Sequence, residues 1–162
     1  MNYFHQKLAT PIGSMVVIEK SGRIQGVVFQ NTWPSFRKRF AGSQEKKTPV
    51  LAEAKRQLAE YFAGRRRSFD LPLELTGTAF QNKVWQSLAG IPYSETRTYK
   101  QQAQSIQMPR AVRAVGRTNG SNPICVVLPC HRVIGSDGSL TGYAGGLNVK
   151  KFLLQLEAPS NQ

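Results

Sequence analysis

The chain has 162 residues, with 22 Lys or Arg against nine Asp or Glu, a formal net charge of +13 and a hydrophobic fraction of 40%. That hydrophobic fraction excludes wholesale disorder, and no apolar run reaches the roughly 18 residues of a membrane span. The two cysteines exclude a disulfide scaffold, and the N-terminus lacks the apolar core of a signal peptide. We expect one compact domain or two small ones, a reducing compartment (the cytoplasm, or the nucleus in a eukaryote), no membrane association, and a polyanionic partner, above all nucleic acid.

The first half of the chain has the pattern of a small α/β domain. Residues 14–19 and 23–29 are β-rich runs on either side of a turn at Ser21-Gly22. A helix is predicted to begin after Thr48, with Pro49 at its first position, and to end at Gly64. Arg65-Arg66-Arg67 follows, either as a phosphate-binding patch or as a solvated run after the helix C-terminus, and the second interpretation is favoured.

The second half predicts a helix-turn-helix. Thr78 begins one capping-box pattern, and Thr98 begins another whose helix runs to about Ser105. After a turn over residues 106–109, a further short helix is predicted to begin at Pro109. Two short helices joined by a tight turn are typical of DNA-binding proteins.

This predicted second helix carries Arg110, Arg113 and Arg117 at spacings i, i+3 and i+7, which places them on one face. The small residues Ala111 and Ala114 would let the helix approach DNA closely while the guanidinium groups reach phosphates or bases. The alternative is a solvated basic face. The helix-turn-helix context favours nucleic acid.

The chemical centre of the sequence is Cys130-His131, directly after an apolar, β-prone run that ends at Pro129. A thiol becomes a good nucleophile when a base takes its proton, and His131 is the only histidine besides His5. A direct contact would need a turn at this point, or else a bridging water. The alternative for Cys130 is a buried structural thiol, which the residues alone leave equally open, whereas Cys125 is expected to be structural.

Few carboxylates are available to orient His131, because residues 76–162 contain only Glu95, Asp137 and Glu157. Glu95 precedes the helix-turn-helix, and Asp137 lies in a turn where Asp usually bonds the backbone. Glu157 lies at the edge of the apolar stripe of a last helix, predicted from Asn148 as N-cap, so a Cys130–His131–Glu157 relay is favoured by elimination. That stripe is formed by Val149, Phe152, Leu153 and Leu156.

Residues 138–146 form a Gly-rich loop. It is either an ordinary linker or a cover for a flat ligand, with Tyr143 on one side.

Three motifs together resemble the methylated-DNA–protein-cysteine methyltransferases, also called O6-alkylguanine-DNA alkyltransferases. They are Pro129-Cys130-His131-Arg132-Val133, Asn122-Pro123 and Gly142-Tyr143-Ala144-Gly145-Gly146. The resemblance is specific from about Thr78 to Glu157 and weaker over residues 1–75. It implies an α+β chain with a small N-terminal α/β, ribonuclease-H-like domain at 1–75 and a mostly helical, winged helix-turn-helix-like domain at 76–162.

The resemblance also implies a reaction. The alkyl group of O6-alkylguanine in double-stranded DNA, and of O4-alkylthymine, would be transferred to Cys130 once and irreversibly. His131, through a water, and Glu157 would hold Cys130 as thiolate, while Asn122 would brace the active-site turn. Arg113 would replace the extruded guanine in the minor groove, and Tyr99 would promote flipping and bond the base. Further DNA contacts would be made by Thr98, Arg110, Ala111, Ala114 and Arg117. The alkylguanine pocket would be formed by Tyr99, Val133, Tyr143, Ala144, Gly145 and Gly146.

Within this pocket the Val133 carbonyl would receive the guanine amino group. Some relatives carry Ser at the place of Ala144, and only a contact made by the backbone survives that change. Some relatives hold zinc in the N-terminal half, where this chain has His5 and no Cys, so no metal and no cofactor are expected. The expected protein is a monomer in solution, with cooperative binding along DNA left open. The alternatives are a non-catalytic helix-turn-helix protein that recognises damaged DNA, and a Cys/His thiol hydrolase.

Overall fold

The computed structural model of the chain describes residues 2–159. It divides into two compact units. The first comprises the chain up to Leu75 together with Pro123–Cys125, and the second comprises Thr76–Asn122 and the chain from Val126 onward. The sequence prediction had assigned Pro123–Cys125 to the second domain; instead, the Val27 N–H donates to the Pro123 carbonyl at 2.8 Å and the Cys125 N–H to the Val27 carbonyl at 2.8 Å.

The first unit is a four-stranded sheet with two helices. Its elements are β1 (Tyr3–Thr10), β2 (Gly13–Lys20), β3 (Arg23–Phe29), α1 (Trp33–Phe36), β4 (Gln44–Glu45) and α2 (Pro49–Phe62). The strand order is β3-β2-β1-β4, antiparallel except for the parallel pair β1–β4. Residues 15–19 of β2 and 24–29 of β3 are all buried, and α2 packs on β1, β2 and β3.

Local signals predicted α2 correctly. The Thr48 hydroxyl accepts the N–H of Leu51 at 3.3 Å, Pro49 is the first helical residue, and Gly64 follows the helix with φ +77°. The arginine run after α2 is partly engaged, because Arg66 bonds Glu60 at 2.8 Å and the Ser68 carbonyl at 3.0 Å. The strands predicted at 14–19 and 23–29 are present, whereas β1 and β4 had no clear sequence signal.

The second unit contains the predicted helical pair and a short parallel ladder. Its elements are α3 (Ala79–Leu88), β5 (Arg97–Thr98), α4 (Tyr99–Ser105), α5 (Val112–Gly120), a 3-10 turn (Cys130–Arg132), β6 (Val133–Ile134) and α6 (Leu147–Glu157). Both predicted capping boxes, at Thr78 and Thr98, are formed. Gln102 and Asn119 join α4 to α5 through reciprocal amide hydrogen bonds of 3.0 and 2.7 Å.

Two predicted helix starts are wrong. The second helix of the helix-turn-helix begins at Val112, not Pro109, because the Ala111 N–H bonds the Met108 carbonyl at 2.9 Å and closes a β-turn with Pro109 at its second position. Arg110 therefore lies in this turn, outside the helical face that carries Arg113 and Arg117.

The last helix, α6, is preceded by Gly146 at φ +99° as its N-cap, and the predicted cap Asn148 is an exposed residue inside the helix. The Lys150 N–H bonds the Gly146 carbonyl at 3.1 Å, which sets this earlier start. Of the predicted apolar stripe, Leu153 is buried and the other three residues are half-buried.

Among residues 2–159, no helix has the length and apolar character that crossing a bilayer demands.

We predict that Gly26→Ala destabilises the first unit. A Cβ on Gly26 would lie 2.7 Å from Ile18 Cδ1 and 3.0 Å from the Phe40 ring, inside the core. Overpacking of this kind costs about 1–3 kcal/mol. The matched control is Gly120→Ala, where nothing lies within 4 Å of the added Cβ. Urea unfolding should show a loss of stability for Gly26→Ala alone, and equal midpoints for the two variants would contradict the packing argument.

Candidate active site

The candidate nucleophile lies on a 3-10 turn rather than on a continued strand. Pro129 has ψ 68°, the Arg132 N–H bonds the Pro129 carbonyl at 3.0 Å, and the Val133 N–H bonds the Cys130 carbonyl. In a 3-10 turn successive side chains are about 120° apart, so Cys130 and His131 do not point in opposite directions as they would in a strand. Asn122, fully buried, donates from Nδ2 to the Leu128 carbonyl at 2.8 Å and so holds the segment before the turn.

His131 and Glu157 form the pair that the shortage of acids indicated. Nε2 of His131 lies 2.8 Å from Oε2 of Glu157, and both side chains are almost fully buried. His131 comes from the 3-10 turn and Glu157 from the last turn of α6, 26 residues along the chain. The structure therefore brings two of the three predicted relay groups into direct contact.

Arg132, not singled out from the sequence, binds the same carboxylate. Its Nε donates to Glu157 Oε1 at 2.8 Å, its Nη2 to Oε2 at 3.0 Å and its Nη1 to the Ile91 carbonyl at 2.7 Å. Its guanidinium also lies 5.7 Å from the centre of the Tyr93 ring. An arginine bound bidentately favours the ionised carboxylate, which can only accept hydrogen bonds.

The protonation of His131 follows from this arrangement. Since the Glu157 carboxylate only accepts, Nε2 of His131 must carry the proton, and Nδ1 of the neutral ring has the lone pair. Within residues 2–159, Nδ1 has no hydrogen-bond partner, so it makes no direct hydrogen bond to Cys130. Burial lowers the pKa of His131 most, Glu157 raises it, and Arg132 and Lys150 lower it again; the net pKa is below the ordinary value. The imidazole is therefore a neutral base near pH 7.

Both cysteines are buried, Cys130 with 5% of its surface exposed and Cys125 with 1%, and they are not joined in a disulfide. Only Cys130 lies beside the base, because it precedes His131 in the same turn. Cys125 belongs to the first unit and pairs with Val27 through its backbone.

Lys150 is the second buried cation that sequence reasoning missed. Its side chain is fully buried, and Nζ donates to the carbonyls of Val133 at 2.7 Å and Thr141 at 2.9 Å. Nζ also lies 5.8 Å from the centre of the Tyr99 ring. Burial lowers the pKa of Lys150, while the electrostatic interaction with Cys130 acts in the opposite direction. The sequence did contain a signal for its burial, because Leu153 and Glu157, three and seven residues after Lys150, lie on the same buried face of α6.

An open cleft of about 520 Å³ lies between the helix-turn-helix and the Gly-rich loop. The Thr141 hydroxyl, at its edge, donates to the Tyr99 hydroxyl at 3.1 Å. Three of the predicted pocket residues, Tyr99, Tyr143 and Ala144, line the cleft. The other three do not: Val133 is buried, Gly145 lies outside the lining and Gly146 caps α6. Its lining is Tyr99, Val112, Arg113, Gly116, Arg117, Gly120, Thr141, Gly142, Tyr143 and Ala144.

The parallel pairing of β5 with β6 connects this cleft to the nucleophile. Arg97 is paired with Val133 and Thr98 with Ile134, so the start of α4 lies beside the end of the Cys130 turn. Thr98 itself caps α4, its hydroxyl oxygen accepting the Gln101 N–H at 3.0 Å.

The predicted DNA-binding residues divide into two groups. Arg113 and Arg117 are exposed on α5 and line the cleft, and the small residues Ala111 and Ala114 beside them are half-buried. Arg110 is exposed in the preceding turn.

Among the described residues, no group of three His, Cys, Asp or Glu side chains is placed to hold a metal ion.

Two family models together match most of the chain. Residues 3–75 match the model described as the ribonuclease-like domain of 6-O-methylguanine DNA methyltransferase, and residues 79–159 match the DNA binding domain of the same family. The α+β fold class predicted from the sequence is thereby confirmed.

Individual relatives agree with this assignment. A constitutive methylated-DNA–protein-cysteine methyltransferase from Bacillus subtilis is 46% identical over 97% of this chain and 96% of its own length. A protein of the same name from Methanosarcina acetivorans is 46% identical over 91% and 94%. Among solved structures, a Mycobacterium tuberculosis protein named OGT, in complex with DNA, is 39% identical with a TM-score of 0.86, covering 99% of this chain and 97% of that one. The chain belongs to the 6-O-methylguanine DNA methyltransferase family.

Proposed function

We propose that the protein repairs DNA by transferring the alkyl group of O6-alkylguanine, and also of O4-alkylthymine, to its own Cys130. The reaction is single-turnover and irreversible. The observation that carries the proposal is Cys130 on the same turn as His131, whose imidazole is a neutral base held by Glu157. The exposed arginines of α5 in the same unit supply an attraction to DNA that a thiol hydrolase does not need.

The chemical step is a direct displacement. The Cys130 thiol loses its proton, through a bridging water, to Nδ1 of His131, the one nitrogen of that ring that can accept it. The thiolate sulfur attacks the alkyl carbon, an S–C bond forms, and the bond from that carbon to O6 breaks. Guanine leaves with the electron pair and takes up one proton, and His131 gives up the proton that it received from Cys130, so that the protons balance. The thioether has no leaving group that would restore the thiol, so each molecule reacts once.

Access to the base requires its extrusion from the helix. Arg113 and Arg117 line the cleft from α5, and Tyr99 lies beside them, with Gly116 so close that a Cβ there would be 3.6 Å from the tyrosine ring. Arg113 takes the place of the flipped guanine in the stack, while Tyr99 promotes the flip and bonds the base. Arg110, Arg117 and Thr98 contact the backbone, and Ala111 and Ala114 permit the close approach of the helix.

The extruded base is received by backbone groups. The Val133 carbonyl accepts the guanine amino group with the lone pair that Lys150 does not use, since a carbonyl oxygen accepts two hydrogen bonds. Tyr143 and the backbone of Ala144, Gly145 and Gly146 form the wall. Asn122 keeps the turn in place through Leu128.

The non-catalytic alternative, a protein that only recognises damaged DNA, gives no role to a cysteine beside a neutral imidazole. We also propose that the protein is a monomer in solution, that it is located in the cytoplasm and that it acts without a cofactor. Its two domains would be residues 1–75 and residues 76–162, except that residues 123–125 belong to the first unit.

We predict that duplex DNA containing O6-methylguanine adds one methyl group per protein, on Cys130, as measured by intact mass and peptide mapping. Cys130→Ser abolishes the transfer but keeps DNA binding, because the thiolate is the reagent and not a DNA contact. Cys125→Ser is the matched control and retains transfer. A methyl group on another residue, or repeated turnover, contradicts the proposal.

Arg113→Ala should slow repair of duplex DNA by about tenfold or more, since flipping a base costs a few kcal/mol and each 1.36 kcal/mol is tenfold in rate. Reaction with free O6-benzylguanine, which needs no flipping, should change little. Arg110→Ala, in the preceding turn, is the control and should weaken DNA binding without this selectivity. Equal losses on both substrates for Arg113→Ala would refute its role in flipping.

Lys150→Met should lower both stability and the rate with free O6-benzylguanine. Its loss leaves the buried Val133 carbonyl without one donor and releases the Thr141 carbonyl, at a cost of about 1–3 kcal/mol. Urea unfolding and single-turnover kinetics measure the two effects. Lys151→Met, at the exposed neighbouring position, is the control. A Lys150→Met protein as stable and as fast as Lys151→Met would show that these hydrogen bonds do not support the pocket.

A further inference from the structure

The Glu157 carboxylate accepts hydrogen bonds from two side chains of the same turn. Arg132 is a permanent cation, whereas His131 must stay neutral to act as a base. Arg132 contacts both carboxylate oxygens, at 2.8 and 3.0 Å, while His131 contacts only Oε2, at 2.8 Å. All three side chains are buried, with at most 7% of any one exposed. Each group therefore feels the charge of the other two with little screening by water.

A buried carboxylate beside an imidazole ordinarily favours the imidazolium, because the two opposite charges attract. A cationic His131 would have protons on both ring nitrogens and could not accept one from a thiol. Alkyl transfer requires the opposite protonation state: the carboxylate must orient His131 while the imidazole remains neutral.

Arg132 meets this need through its geometry. Its bidentate contact balances the negative charge of Glu157, while Oε2 remains able to accept the Nε2–H of His131. The third contact, from Nη1 to the Ile91 carbonyl at 2.7 Å, and the Tyr93 ring fix the guanidinium in this position. The charged side chains that act on the imidazole are Arg132 on its own turn and Glu157 and Lys150 on α6.

We propose that Arg132 is a positioning residue that keeps His131 a neutral base with its proton on Nε2, by balancing the charge of the carboxylate that His131 contacts. The inference rests on the proposed alkyl transfer for its purpose, but the protonation state of His131 can be measured without any reaction.

The chain suits such a measurement because it has only two histidines. Nitrogen-15 NMR of the imidazoles of the whole protein reports both tautomer and charge, and His5→Gln identifies the resonances of His5. In the wild type, His131 should be neutral with its proton on Nε2 at pH 7. A wild-type His131 that is cationic at pH 7, or neutral with the proton on Nδ1, overturns the proposal without any variant.

Two substitutions then separate charge from structure. Arg132→Gln removes the charge but keeps an amide that can donate to Glu157 or Ile91, and Arg132→Lys keeps the charge in a different shape. In Arg132→Gln the titration midpoint of His131 should rise by roughly one to three pH units. The rate with free O6-benzylguanine near pH 7 should fall with the neutral fraction of His131, by about tenfold if the midpoint reaches about pH 8, and should recover as the pH is raised. In Arg132→Lys, His131 should remain neutral.

A role confined to folding would lower the rate equally at every pH and leave the His131 titration unmoved, and that result in folded Arg132→Gln overturns the proposal. If Arg132→Gln does not fold, Arg132→Lys decides: a neutral Nε2–H imidazole supports the proposal and a cationic one overturns it. Failure of the wild type to accept a methyl group would refute the proposed function instead, whatever the NMR spectrum shows.

Discussion

The Glu157 carboxylate joins the last helix to the turn that carries the nucleophile. It ends α6, accepts hydrogen bonds from His131 and Arg132 on the 3-10 turn, and through Arg132 it is connected to the Ile91 carbonyl. Its main-chain carbonyl also accepts the hydroxyl of Ser94. Removing one member of such a buried ion pair leaves an uncompensated charge, which typically costs 3–5 kcal/mol. The turn that presents Cys130, the end of α6 and the segment after α3 therefore depend on one another for their positions.

Much of the secondary structure could be predicted because its signals are local. Thr48, Thr78 and Thr98 cap their helices as the sequence indicates, since a cap is decided within four residues. The two wrong helix starts arise because a local sequence can fit more than one way of beginning a helix. At Pro109 a β-turn and a first helical turn have similar sequences, and the hydrogen bond from Ala111 to Met108 decides between them. In α6 a glycine at positive φ, rather than a polar cap, precedes the helix.

The site was predictable where composition left few choices and unpredictable where distant parts of the chain meet. One acid in the second half lay on a buried helical stripe, and one histidine was available there, so the pair Glu157–His131 could be anticipated. Arg132 could not, because it had the appearance of a solvated cation, and the spacing of Lys150 from Leu153 and Glu157 indicated only that it lies on the buried face of α6. The hydrogen-bond partners of Arg132 and Lys150 lie 9 to 41 residues away along the chain, and these contacts form only when the distant segments come together. Burial of a cation is a tertiary property that local sequence does not record.

The burial of Lys150 has a consequence for the protein after it has acted. The proposed reaction begins with a neutral thiol and a neutral imidazole and passes through a thiolate and an imidazolium, so the summed charge of Cys130 and His131 is zero at both stages. The thiolate is the stage at which Lys150 faces a negative charge, and the electrostatic interaction with Cys130 then favours the charged lysine. A thioether carries no charge, so alkylation ends this interaction permanently, while the burial that lowers the pKa of Lys150 remains. The alkylated protein thus keeps a buried cation that its own sulfur can no longer stabilise.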